Sequence, residues 1–85
     1  MTRKLFDQIF ESTIKLPYEQ RRFAFREGLT ILFDLLEESD DVHTEHDQIW
    51  YGNVNAVLDK IQPQQILRLA ELGWFVDEDS FSFWT

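Results

Sequence analysis

Residues 29–36, Leu-Thr-Ile-Leu-Phe-Asp-Leu-Leu, constrain the fold more than any other part of this sequence. On a helix they are apolar almost all round, so the helix that contains them must be covered on more than one side. A chain of 85 residues supports only one core. The cover must therefore come from other segments of the same chain or from a second copy of the protein, which would make it a homodimer.

Two helices are predicted in the first part of the chain. The first, over residues 2–16, has apolar side chains at spacings of three and four, which is the pattern of an amphipathic helix. Its stripe consists of Leu5, Phe6, Ile9 and Phe10, followed by Thr13 or Ile14. Pro17 ends this helix and suits the first position of the next, which runs to about Glu38. Gly28 costs that second helix about 1 kcal/mol relative to alanine, which indicates a close helix crossing or a simply tolerated glycine.

A polar break over residues 39–46 separates these helices from the rest of the chain. Thr44 followed by Asp47 has the spacing of a capping box, so a third helix is predicted to start there. Its apolar residues are Ile49, Trp50, Val54, Val57, Leu58 and Ile61. A fourth helix opens at Pro63 and ends at Gly73, a residue suited to the left-handed position that follows many helices.

The last segment contains two β-prone runs, Trp74 to Val76 and Phe81 to Trp84, around an acidic tip, which predicts a short hairpin. A two-stranded hairpin is marginal in water, so its aromatic face must lie on the helices or be extended by a partner strand. The predicted fold is therefore mainly α: a small four-helix domain with a short C-terminal β-hairpin, and residues 1–85 form a single helical domain. The phenylalanines expected in its core are Phe6, Phe10, Phe25 and Phe33.

The charges are distributed unevenly along the chain. The formal net charge of -8 disfavours direct binding to nucleic acid or to an anionic membrane and favours a basic partner. Up to Phe33 there are six basic residues and four acidic ones, whereas after it only Lys60 and Arg68 are basic, against twelve acids. The chain has no apolar run long enough to span a membrane and no cysteine, so we expect a cytoplasmic protein.

An acidic patch with two aromatic neighbours is the predicted binding feature. Four of its carboxylates have the spacing i, i+3, i+4 and i+7, which places them on one face if the second helix extends that far. Tryptophan and tyrosine are the residue types that favour interface hot spots. The predicted partner-binding residues are Asp34, Glu37, Glu38, Asp40, Asp41, Glu45, Asp47, Trp50 and Tyr51. The alternative is a solvated face that keeps an aromatic-rich protein in solution.

Catalytic and metal-binding patterns are weak. His43 and His46 lie among acids but lack the glutamate of an H-E-x-x-H helix and a distant third ligand. The serines lack a nucleophile-elbow setting, and no glycine-rich phosphate loop is present. We therefore expect no enzyme, no cofactor and no metal, and keep a metal-dependent hydrolase that uses both histidines as a minority hypothesis.

Residues 47–51, Asp-Gln-Ile-Trp-Tyr, place an aromatic pair after an acidic turn. This arrangement resembles the immunity proteins of nuclease colicins, which are likewise acidic helical domains of this size. The C-terminal segment Leu72–Trp84 has no counterpart in that family. The resemblance therefore implies a similar mode of binding and not membership of that family.

The leading functional hypothesis is a non-catalytic inhibitor or immunity-type protein. It would dock its acidic, aromatic-bearing face onto a basic nucleic-acid-processing enzyme, such as a nuclease, a restriction enzyme or a CRISPR-type effector, by mimicking nucleic-acid charge. A phage or plasmid counter-defence factor would act in this way. The alternative is a homodimeric structural or assembly adaptor joined through residues 29–36 or through the C-terminal hairpin.

Overall fold

The computed structural model describes residues 1–17, 20, 23–36 and 42–84. Within these ranges the chain forms three α-helices and one four-stranded antiparallel sheet, which is an α+β fold. The helices are α1 (Arg3–Ser12), α2 (Ala24–Leu35) and α3 (Pro63–Glu71), and the strands are β1 (Val42–Glu45), β2 (Gln48–Tyr51), β3 (Phe75–Asp77) and β4 (Ser80–Trp84). The strand order across the sheet is β1-β2-β4-β3. No helix of the described ranges is long and apolar enough to cross a membrane.

The predicted four-helix domain is wrong, because the third helix does not form. The chain that was expected to enter it at Thr44 instead forms the β1–β2 hairpin, with a two-residue turn at His46 and Asp47. A short 3-10 turn over Val54–Ala56 follows. Gly52 lies between the two, at a φ of +67° that a right-handed helix does not allow. The helix-like spacing of the apolar residues in this segment therefore arises from a strand followed by a 3-10 turn.

The other predicted elements are present, and some of them have different bounds. The helix α3 begins at Pro63, and Gly73 follows it at a φ of +96°, as expected. The helix α2 begins at Ala24, well after Pro17, and ends at Leu35. The C-terminal hairpin is confirmed as β3 and β4, and the strand that extends it is β2 of the same chain, with Tyr51 opposite Phe81.

The sheet has two different faces because side chains alternate along a strand. Its inner face packs on the helices through three ring pairs: Phe81 with Phe6, Tyr51 with Phe33, and Phe83 with Phe25, at centroid distances of 6.0, 5.8 and 5.7 Å. The outer face consists of His43, Glu45, Gln48, Trp50, Phe75, Asp77, Ser80, Ser82 and Trp84. The helix layer therefore covers only one side of the sheet.

The core differs from the predicted set of phenylalanines. Phe6 is fully buried, but Phe25 is 36% exposed and Phe33 is 63% exposed. The largest buried side chain is instead that of Trp74, which lies between α2 and β4. Within the segment 29–36, Leu32, Leu35 and Leu36 are buried, whereas the ring of Phe33 stays largely exposed.

An ion pair joins α2 to α3. The Arg68 guanidinium donates to both carboxylate oxygens of Glu27, with 2.9 Å between Nη2 and Oε1. This hydrogen bonding, and then the charge attraction, hold the pKa of Glu27 below its ordinary value. The pair therefore stabilises the fold above that ordinary pKa, and the contribution is lost as the pH falls through the lower, folded-state pKa.

We expect the free energy of unfolding of Glu27→Gln to fall less steeply than that of the wild type as the pH is lowered. Both side chains are about 40% exposed, so solvent screening keeps the effect small. The measurement is the free energy of unfolding in urea at a series of pH values from about 6 to 3, the range in which carboxylates titrate. Glu11→Gln, on the exposed surface of α1, is the matched control and should keep the wild-type slope. Equal slopes for wild type and Glu27→Gln would refute the assignment.

Candidate functional site

The outer face of the sheet carries a cleft of about 420 Å³. It is lined by His43, Glu45, Trp50, Asp77, Glu78 and Ser80. These residues come from all four strands and from the turn between β3 and β4, which the strand order β1-β2-β4-β3 brings together. We call this feature the outer cleft.

A hydrogen-bond network holds the base of the outer cleft. The indole Nε1 of Trp50 donates to Oδ2 of Asp77 at 2.9 Å, and Nε2 of Gln48 donates to the same oxygen at 3.1 Å. Gln48 also donates to Oγ of Ser82 at 2.8 Å, and that buried hydroxyl donates to the carbonyl of Ile49 at 2.8 Å. The network satisfies the buried hydroxyl of Ser82 and fixes the orientation of the Trp50 ring.

His43 and Glu45 form the side of the cleft that belongs to β1. The His43 ring lies opposite Trp50 in the strand register, with 5.3 Å between ring centroids. Its Nε2 is 3.7 Å from Oε1 of Glu45. Both side chains are about two-thirds exposed, so a partner can approach them without moving the backbone.

A second pair of rings continues the outer face next to the cleft. Phe75 and Trp84 stack with 5.7 Å between centroids and 24° between ring planes. Trp84 is 58% exposed. The outer face therefore presents apolar aromatic area as well as carboxylates, which is the mixture that favours interface hot spots.

The two hairpins, residues 42–51 and 75–84, contain five acids and neither lysine nor arginine. The acids are Glu45, Asp47, Asp77, Glu78 and Asp79. One of them is neutralised from the helix layer, because Nη1 of Arg3 donates to Oδ1 of Asp79 at 2.8 Å. Hydrogen bonds to Asp7 and then to Asp79 raise the pKa of Arg3 above its ordinary value. The remaining four carboxylates give the outer face a negative field.

The β3–β4 turn places two acids in an unfavourable backbone conformation. Glu78 and Asp79 have φ values of +49° and +70°, the left-handed region that asparagine and glycine favour in a two-residue hairpin turn. Non-glycine residues there cost about 1–2 kcal/mol each. The Asp79 carboxylate accepts a hydrogen bond from Arg3, whereas the Glu78 side chain lines the cleft. The backbone conformation of these two residues therefore lowers the stability of the β3–β4 hairpin.

We expect Glu78→Asn to raise the free energy of unfolding by about 0.5–1 kcal/mol, because asparagine tolerates the left-handed region better than glutamate. Urea denaturation measures this change. Glu78→Gln removes the same charge without relieving the backbone, so it is the matched control and should leave the stability near that of wild type. Equal stabilisation by both variants would show that charge repulsion, not backbone strain, is the cost at this position.

The residues predicted from the sequence fall into several places. Glu45, Asp47 and Trp50 belong to the β1–β2 hairpin, and Asp34 lies exposed on α2. Glu37, Glu38, Asp40 and Asp41 lie outside the described residues. Of the four carboxylates expected on one helical face, Asp34 belongs to α2, which ends at Leu35, and the other three lie outside the described residues.

Tyr51 requires a correction. It was expected to face a partner together with Trp50, but it is only 4% exposed and packs edge-on against Phe33. The reason is that consecutive residues of a strand point to opposite faces, so Trp50 lies on the outer face and Tyr51 on the inner one. Of this aromatic pair, Trp50 alone contributes to the outer cleft.

Three residues of the cleft were missed in the sequence. Asp77, Glu78 and Ser80 were seen only as the tip of a predicted hairpin, and their approach to Trp50 depends on the pairing of β2 with β4. Within the predicted hairpin, alternation places Phe75 and Asp77 on one face. That pattern was the available signal for Asp77.

The two histidines do not form a metal centre in the described part of the chain. His43 lies on the strand β1, while His46 occupies the following turn at a φ of +46°. Among the described residues, no group of three or more histidine, aspartate or glutamate side chains has an arrangement that could hold a metal ion.

Comparison of the chain with models of protein families, with curated proteins and with solved structures finds no match in any of the three. The site is therefore interpreted from its own geometry and charge.

Proposed function

We propose that this protein is a non-catalytic binding protein whose outer sheet face docks onto a basic partner. The observation that carries the proposal is the outer cleft, in which Trp50 lies among Glu45, Asp77 and Glu78. The two hairpins that form it contain no lysine or arginine. The Trp50 ring is half-buried, and a partly accessible aromatic ring beside carboxylates complements a surface of positive charge.

Binding by such a face has two physical contributions. The four unneutralised carboxylates attract a basic partner over a distance of about one Debye length, roughly 8–10 Å at physiological salt, and so raise the association rate. Trp50 and the Phe75–Trp84 stack then exclude water from the contact, which slows dissociation. Affinity should accordingly fall with added salt, mainly through the association rate.

The basic partner we propose is a nucleic-acid-processing enzyme. The phosphate-binding surfaces of such enzymes are rich in lysine and arginine, and a protein face bearing carboxylates can occupy them in place of the nucleic acid. An inhibitor or immunity-type protein, including a counter-defence factor, would work by this competition. We propose the cytoplasm as its compartment, since a chain without cysteine suits a reducing environment.

Affinity capture from the native host tests the proposal. We expect the immobilised protein to retain a basic protein that is released by salt and that is not retained by the double variant Glu45→Lys/Glu78→Lys. The matched control is Glu11→Lys/Asp34→Lys, which reverses two exposed acids of α1 and α2. Retention of the same proteins by wild type and by the cleft variant would contradict the proposal.

The exposed apolar residues of α2 favour a second candidate, a homodimeric adaptor. Phe33 is 63% exposed although it lies next to the buried Tyr51. Joining two copies through this side of the helix layer would bury it. Sedimentation velocity at high micromolar concentration tests this alternative. A dimer that Phe33→Ser converts to a monomer would support it, and a wild-type monomer would exclude it.

A further inference from the structure

We propose that the outer cleft recognises an arginine side chain of the partner and discriminates it from lysine. This inference rests on the proposed function and specifies the chemistry of its central contact. The cleft combines an aromatic ring with carboxylates on two sides, Glu45 from β1 and Asp77 and Glu78 from the β3–β4 hairpin. Lysine and arginine side chains bind to such an arrangement of ring and carboxylates in different ways.

The ring of Trp50 favours a planar cation. A guanidinium can lie flat on an indole and still direct its N–H groups outward in the ring plane, whereas an ammonium group offers a compact and strongly hydrated charge. The Trp50 N–H already donates to Asp77, so the indole is held in place before a ligand arrives. A ring that is fixed in advance loses less conformational entropy on binding.

The carboxylates supply acceptors for the edge of the guanidinium. Asp77 uses Oδ2 for Trp50 and Gln48, and among the described residues no donor is bonded to its Oδ1. Glu78 likewise has no hydrogen-bond or ion-pair partner within the described ranges. Five N–H donors in a fixed plane can bond two carboxylates at once, which an ammonium group cannot do with the same geometry.

The size of the site also fits a side chain of a partner protein. A volume of about 420 Å³ lies within the range of small-ligand sites, and the cleft is open to solvent along the sheet face. A flexible stem followed by a flat cationic group can enter it from the surface of a docked protein. The stem would then lie along the exposed aromatic area, where its methylene groups are partly shielded from water.

The experiment uses two blocked tripeptides, acetyl-Gly-Arg-Gly-amide and acetyl-Gly-Lys-Gly-amide, titrated into the intact protein. The readout is the indole N–H resonance of Trp50, which is assigned by its absence from the spectrum of Trp50→Phe. We expect a saturable shift with millimolar affinity and at least about fivefold tighter binding of the arginine peptide. Glu78→Gln should lower the affinity for the arginine peptide at least about threefold, and Glu11→Gln should leave that affinity unchanged.

Equal affinity for the two peptides, or no saturable shift with the arginine peptide, would overturn the inference. A shift that persists unchanged in Glu78→Gln would overturn it as well. The proposed function is judged separately, by whether the captured partner still binds the cleft variant Glu45→Lys/Glu78→Lys. Loss of that partner together with equal peptide affinities would refute arginine recognition and leave the binding proposal standing.

Discussion

Gly28→Ala should destabilise the protein by about 2–4 kcal/mol, although glycine to alanine in a helix interior ordinarily stabilises by about 1 kcal/mol. A methyl group at position 28 would overlap Nε1 of Trp74 and lie 2.7 Å from Cδ1 of the same ring. The ring cannot easily move aside, because it is fully buried and Nε1 donates to the carbonyl of Ala24 at 3.2 Å. Phe83 packs against it at 5.0 Å between centroids.

A double-mutant cycle separates this overlap from a general effect of alanine at position 28. Trp74→Phe removes the indole nitrogen and shortens the ring, so Gly28→Ala should cost much less in that background than in the wild-type protein. Urea denaturation of the four proteins gives the coupling free energy. An equal cost in both backgrounds, or a wild-type protein stabilised by Gly28→Ala, would contradict the close approach of Gly28 to Trp74.

Trp50→Ala should lower the affinity for the captured basic partner at least about thirtyfold, the loss of about 2 kcal/mol that is typical of an interface hot spot. The substitution removes the largest side chain of the outer cleft and leaves Asp77 without its indole donor. Most of the loss should appear as faster dissociation, since the carboxylates that steer association remain. Surface plasmon resonance with the immobilised partner measures both rates.

Phe33→Ala is the matched control for this prediction. It also truncates an exposed aromatic ring, but one that lies on α2 in the helix layer. We expect its affinity to stay within about twofold of wild type, as is usual for residues outside a hot spot. A larger loss of affinity for Phe33→Ala than for Trp50→Ala would place the contact surface on the helix layer and favour the adaptor alternative.

The elements that were predicted correctly are those with local signals. Pro63 and Gly73 mark the two ends of α3, and both act through the backbone conformations that their own side chains allow. The C-terminal hairpin was recognisable from alternating aromatic residues around an acidic tip. Neither prediction required knowledge of the distant parts of the chain.

The β1–β2 hairpin was missed because its stability comes from a distant partner. The strand β2 has four residues, and it pairs with β4, in which Phe81 lies opposite Tyr51. Over so short a stretch, alternation and helical spacing predict different structures with similar strength. Long-range pairing with β4 decides between them, although Gly52 and Asn53 already interrupt the predicted helix in the sequence.

The candidate site was predicted in parts but not as a unit. Trp50 was predicted as a partner-binding residue, whereas Asp77 and Glu78 were noted only as the acidic tip of a hairpin, and the expected acidic face was assigned to the end of the second helix and the loop after it. Pairing of β2 with β4 brings Trp50 within hydrogen-bond distance of Asp77 instead. The unequal charge of the chain was informative, because the acids of the two hairpins gather on the sheet layer.

Mapping the partner's footprint on this protein tests the central claim most directly. The measurement is the change in backbone amide resonances of the ¹⁵N-labelled protein when the captured partner is added. We predict that the affected residues include His43, Gln48, Trp50 and Asp77 on the sheet, while α1 and α3 keep their resonances apart from uniform broadening. A footprint confined to the helix layer, with the Trp50 indole resonance unchanged, would contradict the account.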